Sequence, residues 1–229
     1  MSDFILALPV LIFSLVAHEY AHARTALWQG DDTAYMLGRV TLNPIPHIDP
    51  WMTLLLPALL WYSSGGAFAF GGAKPVPIET RKFRKFVRGD IIVSSAGVIT
   101  NLVLALACAA VFVGSSGIAR VLPGFTEGLG LLQRMMGWGV LLNLILCFFN
   151  LLPIPPLDGS RILYHFLPPE LGLKYRRLER FGYIPLVLIV VFFPRVLNLL
   201  LAPAYWGIRQ LYSLISPYGL GTAWNIFAR

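Results

Sequence analysis

Two histidines four residues apart, with a glutamate directly after the first, can hold a metal ion and set a base beside it. The chain carries that set as His18-Glu19-Tyr20-Ala21-His22. On a helix, residues i and i+4 share a face, so both imidazoles reach one ion while Glu19, rotated off that axis, reaches a water at the metal. The plainer reading is polar side chains satisfied within a helix bundle. Their setting speaks against it: the stretch before them, Phe4 to Ala17, is continuously apolar. An ionised group at the bilayer centre costs about 2.5 kcal/mol or more, and such groups tend to be functional. A catalytic zinc takes three protein ligands and keeps one position open for water. The third candidate is Asp158, in Asn150-Leu151-Leu152-Pro153-Ile154-Pro155-Pro156-Leu157-Asp158-Gly159. Three prolines forbid regular helix there, and unwound backbone at membrane depth is tolerated only when buried in protein or lining a wet cavity. Asp158 then leaves a segment shaped to present it. The competing reading is a surface turn in which Asp158 starts the next helix as an N-cap.

Composition says what must hold these groups. Of the 229 residues, 57% are hydrophobic and 13% are charged, against roughly 25% charged in ordinary soluble domains. Mean hydropathy is +0.70. That balance excludes disorder, a collagen-like repeat and a disulfide scaffold, and points to an integral membrane protein. The formal charge of +7, from 18 Lys+Arg against 11 Asp+Glu, falls in short segments between apolar runs. Positive-inside bias accounts for it, and nucleic acid is not called for. Cys108 and Cys147 lie in apolar runs and read as small buried hydrophobes. No cleavable signal peptide is expected, because Met1 to Asp3 holds no Lys or Arg and the first apolar run continues into charged residues.

Phe4 to about Trp28 reads as one spanning helix with its polar groups in the second half. Trp51 to Leu60 falls short of the ~20 residues a span needs, so with Ser63 to Gly66 and Ala67 to Phe70 it reads as a re-entrant hairpin in competition with a full crossing. Ile91 to Val113 and Trp138 to Leu152 are spans. Tyr183 to Leu201 is another, interrupted by Pro185 and Pro194, and Tyr205 to Ile215 is an amphipathic or interfacial tail. Gly38 to Asn43 alternates polar and apolar side chains around Val40 and Thr41 and stops at Pro44, which reads as a short strand. The expected fold is an all-α polytopic membrane protein of about 4–6 membrane segments, with a short cytoplasmic-side β-hairpin and a candidate re-entrant segment. It forms a single domain, 1–229, with its core at 4–165 and further membrane segments at 183–216. Six basic residues against two acids in Gly72 to Asp90, and five against two in Arg161 to Arg180, place both loops in the cytoplasm. Ser115 to Gly137 suits the outer face.

The two metal motifs, in this order and on separate spans, resemble the site-2 protease family of intramembrane metalloproteases. In that family an H-E-x-x-H helix and a later L-D-G motif give two His and one Asp to zinc. The resemblance carries onto His18, Glu19 and His22, and onto Leu157-Asp158-Gly159. Gly38-Arg39-Val40-Thr41-Leu42-Asn43-Pro44, His47-Ile48-Asp49-Pro50, Ala73-Lys74-Pro75-Val76-Pro77, and Ala96-Gly97 with Asn101 look like its compact bacterial and archaeal branch. The match covers about Ala17 to Gly159. Where the family usually has Ala-Gly-Pro this chain reads Ala96-Gly97-Val98, which puts a helix kink in doubt. The Ser115 to Gly137 connection is too short for a PDZ or CBS domain. The resemblance implies one zinc per chain, transmembrane protein substrates, a prokaryotic cell (inner) membrane, and a site on the cytoplasmic side. It also implies that Asn150 holds substrate backbone; the alternative is a helix-helix hydrogen bond.

On this reading zinc at His18, His22 and Asp158 activates water and polarises the scissile carbonyl, and Glu19 moves the proton. Substrate must unwind first, and a strand edge at Val40-Thr41-Leu42 could receive it by main-chain pairing. His47 in a Pro-flanked loop reads as structural, His165 as interfacial, and Asn101 as bonded to a neighbouring helix. The competing class is a non-catalytic membrane protein using the same ligands for metal transport or for binding transmembrane helices. A transporter needs no general base, so Glu19 in register favours hydrolysis.

Overall fold

A computed structural model describes residues 2–55, 59, 62 and 71–220 of the chain. A backbone in lipid must close its own hydrogen bonds, so long apolar runs become helices. The α-helices are α1 (Ser2–Gln29), α2 (Thr33–Met36), α3 (Phe86–Val121), α4 (Thr126–Asn150), α5 (Asp158–Tyr164), α6 (Pro169–Arg176), α7 (Ile184–Phe192), α8 (Pro194–Leu200) and α9 (Ala202–Ile215). Among the described residues three stretches are long and apolar enough to cross a membrane: Ile5–Gln29, Phe86–Val121 and Pro123–Asn150. These correspond to the expected spans Phe4 to about Trp28, Ile91 to Val113 and Trp138 to Leu152; the second is longer at both ends, and the third starts earlier and stops at Asn150. Tyr183 to Leu201 is interrupted, as its prolines lead us to expect. Its proline at 194 divides it into a nine-residue and a seven-residue helix, and nine residues rise only about 14 Å. The chain falls into two compact units, Ile12–Gly97, and Met1–Leu11 with Val98–Arg229.

In the second of these, Ala105, Ala109 and Phe112 of α3 meet Val140 and Leu144 of α4 and Ile208, Tyr212 and Ile215 of α9. Small residues let the backbones approach, as membrane helices require where lipid gives no hydrophobic drive. A Cβ on Gly139 would stand 2.5 Å from Cys108 Sγ, so Cys108 serves packing. Asn101 Nδ2 donates to Asn143 Oδ1 at 3.0 Å, the helix-helix bond expected of it, worth about 0.6–2 kcal/mol. Tyr212 and its neighbours at helical spacing cover the apolar stripe of α9 against protein, so this tail is docked through its apolar face. Gln133, fully buried, ties the chain beyond α9 to α3 and α4: its Nε2 donates to the carbonyls of Phe112 and Tyr218, both at 3.0 Å, and its Oε1 accepts from Leu220 N–H at 2.7 Å.

In the unit Ile12–Gly97 the expected strand is absent, and no strand occurs among the described residues. Gly38 to Asn43 is a run of turns and bends. Gly38 takes φ +66°, which suits glycine. Thr41 Oγ1 then accepts from Asn43 N–H, and Asn43 Oδ1 from Ile45 N–H, each at 3.1 Å. These short polar side chains offer the backbone local partners in place of a ladder. The re-entrant expectation falls mostly outside the described residues. At its near end Pro50–Leu55 winds as a π-turn, and Thr53 Oγ1 donates to the Gly72 carbonyl at 2.7 Å.

Candidate active site

The helical period of α1 sets His18 and His22 on one face, buried to 7% and 5% exposure. Their rings meet edge to face with centroids 4.6 Å apart, and the two Nε2 atoms stand 3.0 Å apart. His22 Nδ1 lies 2.7 Å from the Val93 carbonyl on α3. A carbonyl can only accept, so Nδ1 carries the proton and Nε2 presents its lone pair, the tautomer that a metal ligand needs. Two imidazole nitrogens on one tetrahedral zinc are roughly 3.3 Å apart, given Zn–N bonds of about 2.0–2.1 Å. The pair therefore fits zinc in spacing, in donor type and, for His22, in tautomer.

What lets the rings sit there is a glycine. A Cβ on Gly97 would lie 2.5 Å from both His18 Cε1 and His22 Nε2, and 2.6 Å from His18 Nε2. Only a residue without a side chain admits both ring edges at that face of α3. Val98 does not break the helix, which runs on to Val121. Gly97→Ala is expected to keep the helices and to weaken zinc binding by ~10–100-fold, the scale for disturbing a ligand's support. Competitive chelator titration of the purified variant reads it, and wild-type affinity would show that the rings yield freely.

Glu19, between the histidines in sequence and half-buried, turns aside as expected. Its Oε2 accepts from the Val76 N–H at 2.8 Å, which fixes the carboxylate and leaves Oε1 as the oxygen that can take a proton. Val76 belongs to an irregular stretch, Ala73 to Pro77, seated on this unit: Lys74 N–H donates to the His47 carbonyl at 2.8 Å. His47 is structural as expected, 1% exposed, with Nε2 donating to the Thr41 carbonyl at 3.0 Å. Val40 packs on Ala23, Ala34 and Val76, Thr41 has its carbonyl taken by His47, and Leu42 is exposed.

Asp158 and Asn150 lie in the other unit. The prolines before Asp158 do unwind the chain: residues 151–157 are turns and bends, and Asp158 is the first residue of α5, with Leu157 as its cap. Gly159 is required beside it, since a Cβ there would overlap the Leu151 carbonyl and stand 2.8 Å from the Leu152 oxygen. Asn150 ends α4 with Nδ2 donating to the Leu146 carbonyl at 2.9 Å. His165 caps α5 and lies edge to face on Tyr164, with centroids 5.0 Å apart. Val93 is not singled out in the sequence, and Gly97 and Val76 are noted there only within family-like stretches, with no role at the site. A glycine in the middle of an apolar span is a visible signal; backbone carbonyls and amides leave none.

Comparison with known proteins agrees with this chemistry. The model of Peptidase family M50 matches residues 5–192. The protein named "Putative zinc metalloprotease YwhC" of Bacillus subtilis (strain 168) is 40% identical over 183 residues, 79% of this chain and 78% of that protein. "Putative zinc metalloprotease Rip2" of Mycolicibacterium smegmatis is 32% identical over 193 residues, 82% of this chain and 67% of its own. The protein of the same name in Mycobacterium tuberculosis is 31% identical over 195 residues, 85% and 69% of the two chains. No solved structure matches the chain. With most of its length matched by the family and by relatives named for the same chemistry, this chain belongs to peptidase family M50, the site-2 proteases, and is an intramembrane zinc metalloprotease.

Proposed function

We propose that the chain binds one zinc through His18, His22 and Asp158, and hydrolyses peptide bonds within or at the edge of a transmembrane substrate, with Glu19 as general base. The observation that carries the reading is the facing pair of His18 and His22 Nε2 atoms, 3.0 Å apart. Zinc held by these residues would supply Lewis-acid polarisation of the scissile carbonyl and would lower the pKa of water toward about 7. Glu19 Oε1 takes the water proton and returns it to the leaving amine. The Asp158 assignment rests on the L-D-G sequence and on the unwound, glycine-anchored turn that carries it.

A helical substrate has its peptide bonds closed by its own hydrogen bonds and must unwind at the site. Asn150, whose amide both donates and accepts, holds the opened backbone. Val40, Thr41 and Leu42 contribute contact through the exposed Leu42, since no preformed strand edge is offered. The setting is a prokaryotic cell membrane with the site toward the cytoplasm. Cysteines placed at Lys82 and Arg177, in a background lacking Cys108 and Cys147, are expected to resist an impermeant thiol reagent in intact cells. Labelling of either from outside would reverse the topology.

The ligand set is tested by zinc X-ray absorption on the purified, full-length protein. The expected first shell is nitrogen and oxygen only, at about 2.0–2.2 Å with imidazole scattering. A sulfur shell at about 2.3 Å, or no imidazole signature, would displace the proposed site.

A further inference from the structure

The general base has an orienting partner of its own. Val76 stands between Pro75 and Pro77, which lack an N–H, so it offers the single main-chain donor of that triplet. Glu19 takes that donor. The other end of the same peptide group, the Pro75 carbonyl, faces a guanidinium: Arg39 Nη2 donates to the Lys74 carbonyl at 2.8 Å and reaches the Pro75 carbonyl at 3.5 Å. Arg39 is 8% exposed. A buried cation is costly unless hydrogen-bonded, which makes its placement on these two carbonyls informative. It is itself held, since its N–H donates to the Ala34 carbonyl at 2.8 Å across the Gly38 turn, and Val76 is clamped at 6% exposure among Ala23, Ala34 and Val40. One peptide plane is thus bracketed by a cation at its oxygen and a carboxylate at its nitrogen. Hydrogen bonds in such a chain polarise one another, so a guanidinium at the carbonyl strengthens the N–H as a donor.

We infer that Arg39 is a positioning residue for the base, acting through the Pro75–Val76 peptide to hold Glu19 in the orientation that meets the attacking water. This rests on Glu19 being the base. Arg39 itself does not touch the reacting atoms. Its loss leaves the two histidines in place and lets the carboxylate swing.

The test uses the full chain in detergent with a single-span substrate, measuring kcat, KM, zinc content and melting temperature. Three changes are compared: Arg39→Ala, Arg39→Lys, and Val76 replaced by its α-hydroxy analogue, whose ester oxygen deletes the N–H alone. Arg39→Ala and the ester should each lower kcat by ~10–100-fold, the usual scale for outer-shell partners, with KM and zinc content unchanged. Arg39→Lys should recover part of the loss. Both changes together should be no worse than the ester alone, because they act through one N–H. Wild-type kcat in the ester, losses that multiply, or an Arg39→Ala defect confined to zinc content or melting temperature would overturn the inference. Should Arg39→Ala fail to fold, the ester decides, since it keeps Arg39. An inactive Glu19→Gln beside a fully active ester overturns this inference and leaves the base assignment standing; an active Glu19→Gln overturns both.

Discussion

Glu19→Gln is expected to lower turnover by ~10²–10⁴-fold, the range general-base catalysis supplies, while zinc content and melting temperature stay at wild-type values. The amide is nearly isosteric, and its oxygen can still accept from the Val76 N–H that Oε2 engages at 2.8 Å. What it cannot do is take a proton from water. On the proposed ligand set neither His18 nor His22 could take over the task, because a ligand's lone pair would be committed to the metal. Single-turnover cleavage of a one-span substrate, beside elemental analysis of the same preparation, measures both halves. Activity within about tenfold of wild type would exclude Glu19 as the base.

His22→Ala and Asp158→Ala are expected to lose zinc outright, with stoichiometry falling from about one per chain toward zero after dialysis. His22 is the better oriented of the two imidazoles, through its Nδ1 bond to the Val93 carbonyl at 2.7 Å. On the proposed ligand set, removing it deletes a ligand and the side-chain bond to that helical carbonyl. On the same proposed set, removing Asp158 deletes the one anionic ligand, and two neutral imidazoles would hold zinc weakly. The effect should exceed the ~10–100-fold expected for support residues such as Gly97. Retained zinc in both variants would remove the proposed site.

Much of this is legible in the sequence because the relevant periods are short. The spacing of His18 and His22 fixes a shared face on any α-helix, and the apolar runs of α1, α3 and α4 have no other way to satisfy their backbones. Pro153, Pro155 and Pro156 announce the unwound approach to Asp158. The strand expected at Gly38 to Asn43 does not form, because alternation of side chains says nothing of Thr41 Oγ1 and Asn43 Oδ1, which capture neighbouring amides. The break within Tyr183 to Leu201 is legible too, because Pro194 cannot continue the helix that ends at Phe192. The partners of the site are hidden for a different reason. Val93 and Val76 act through main-chain atoms, which any residue other than proline supplies, and Gly97 acts by lacking a side chain.

The central claim is that this chain cuts inside the membrane with zinc. Mass mapping of the products from a panel of single-span substrates, incubated with purified wild-type protein, tests it most directly when run before chelation, after chelation, and after zinc is restored. Cuts are expected within or at the edge of the span, abolished by the chelator and regained with zinc. Cuts confined to soluble flanks, or a product pattern indifferent to the chelator, would contradict it.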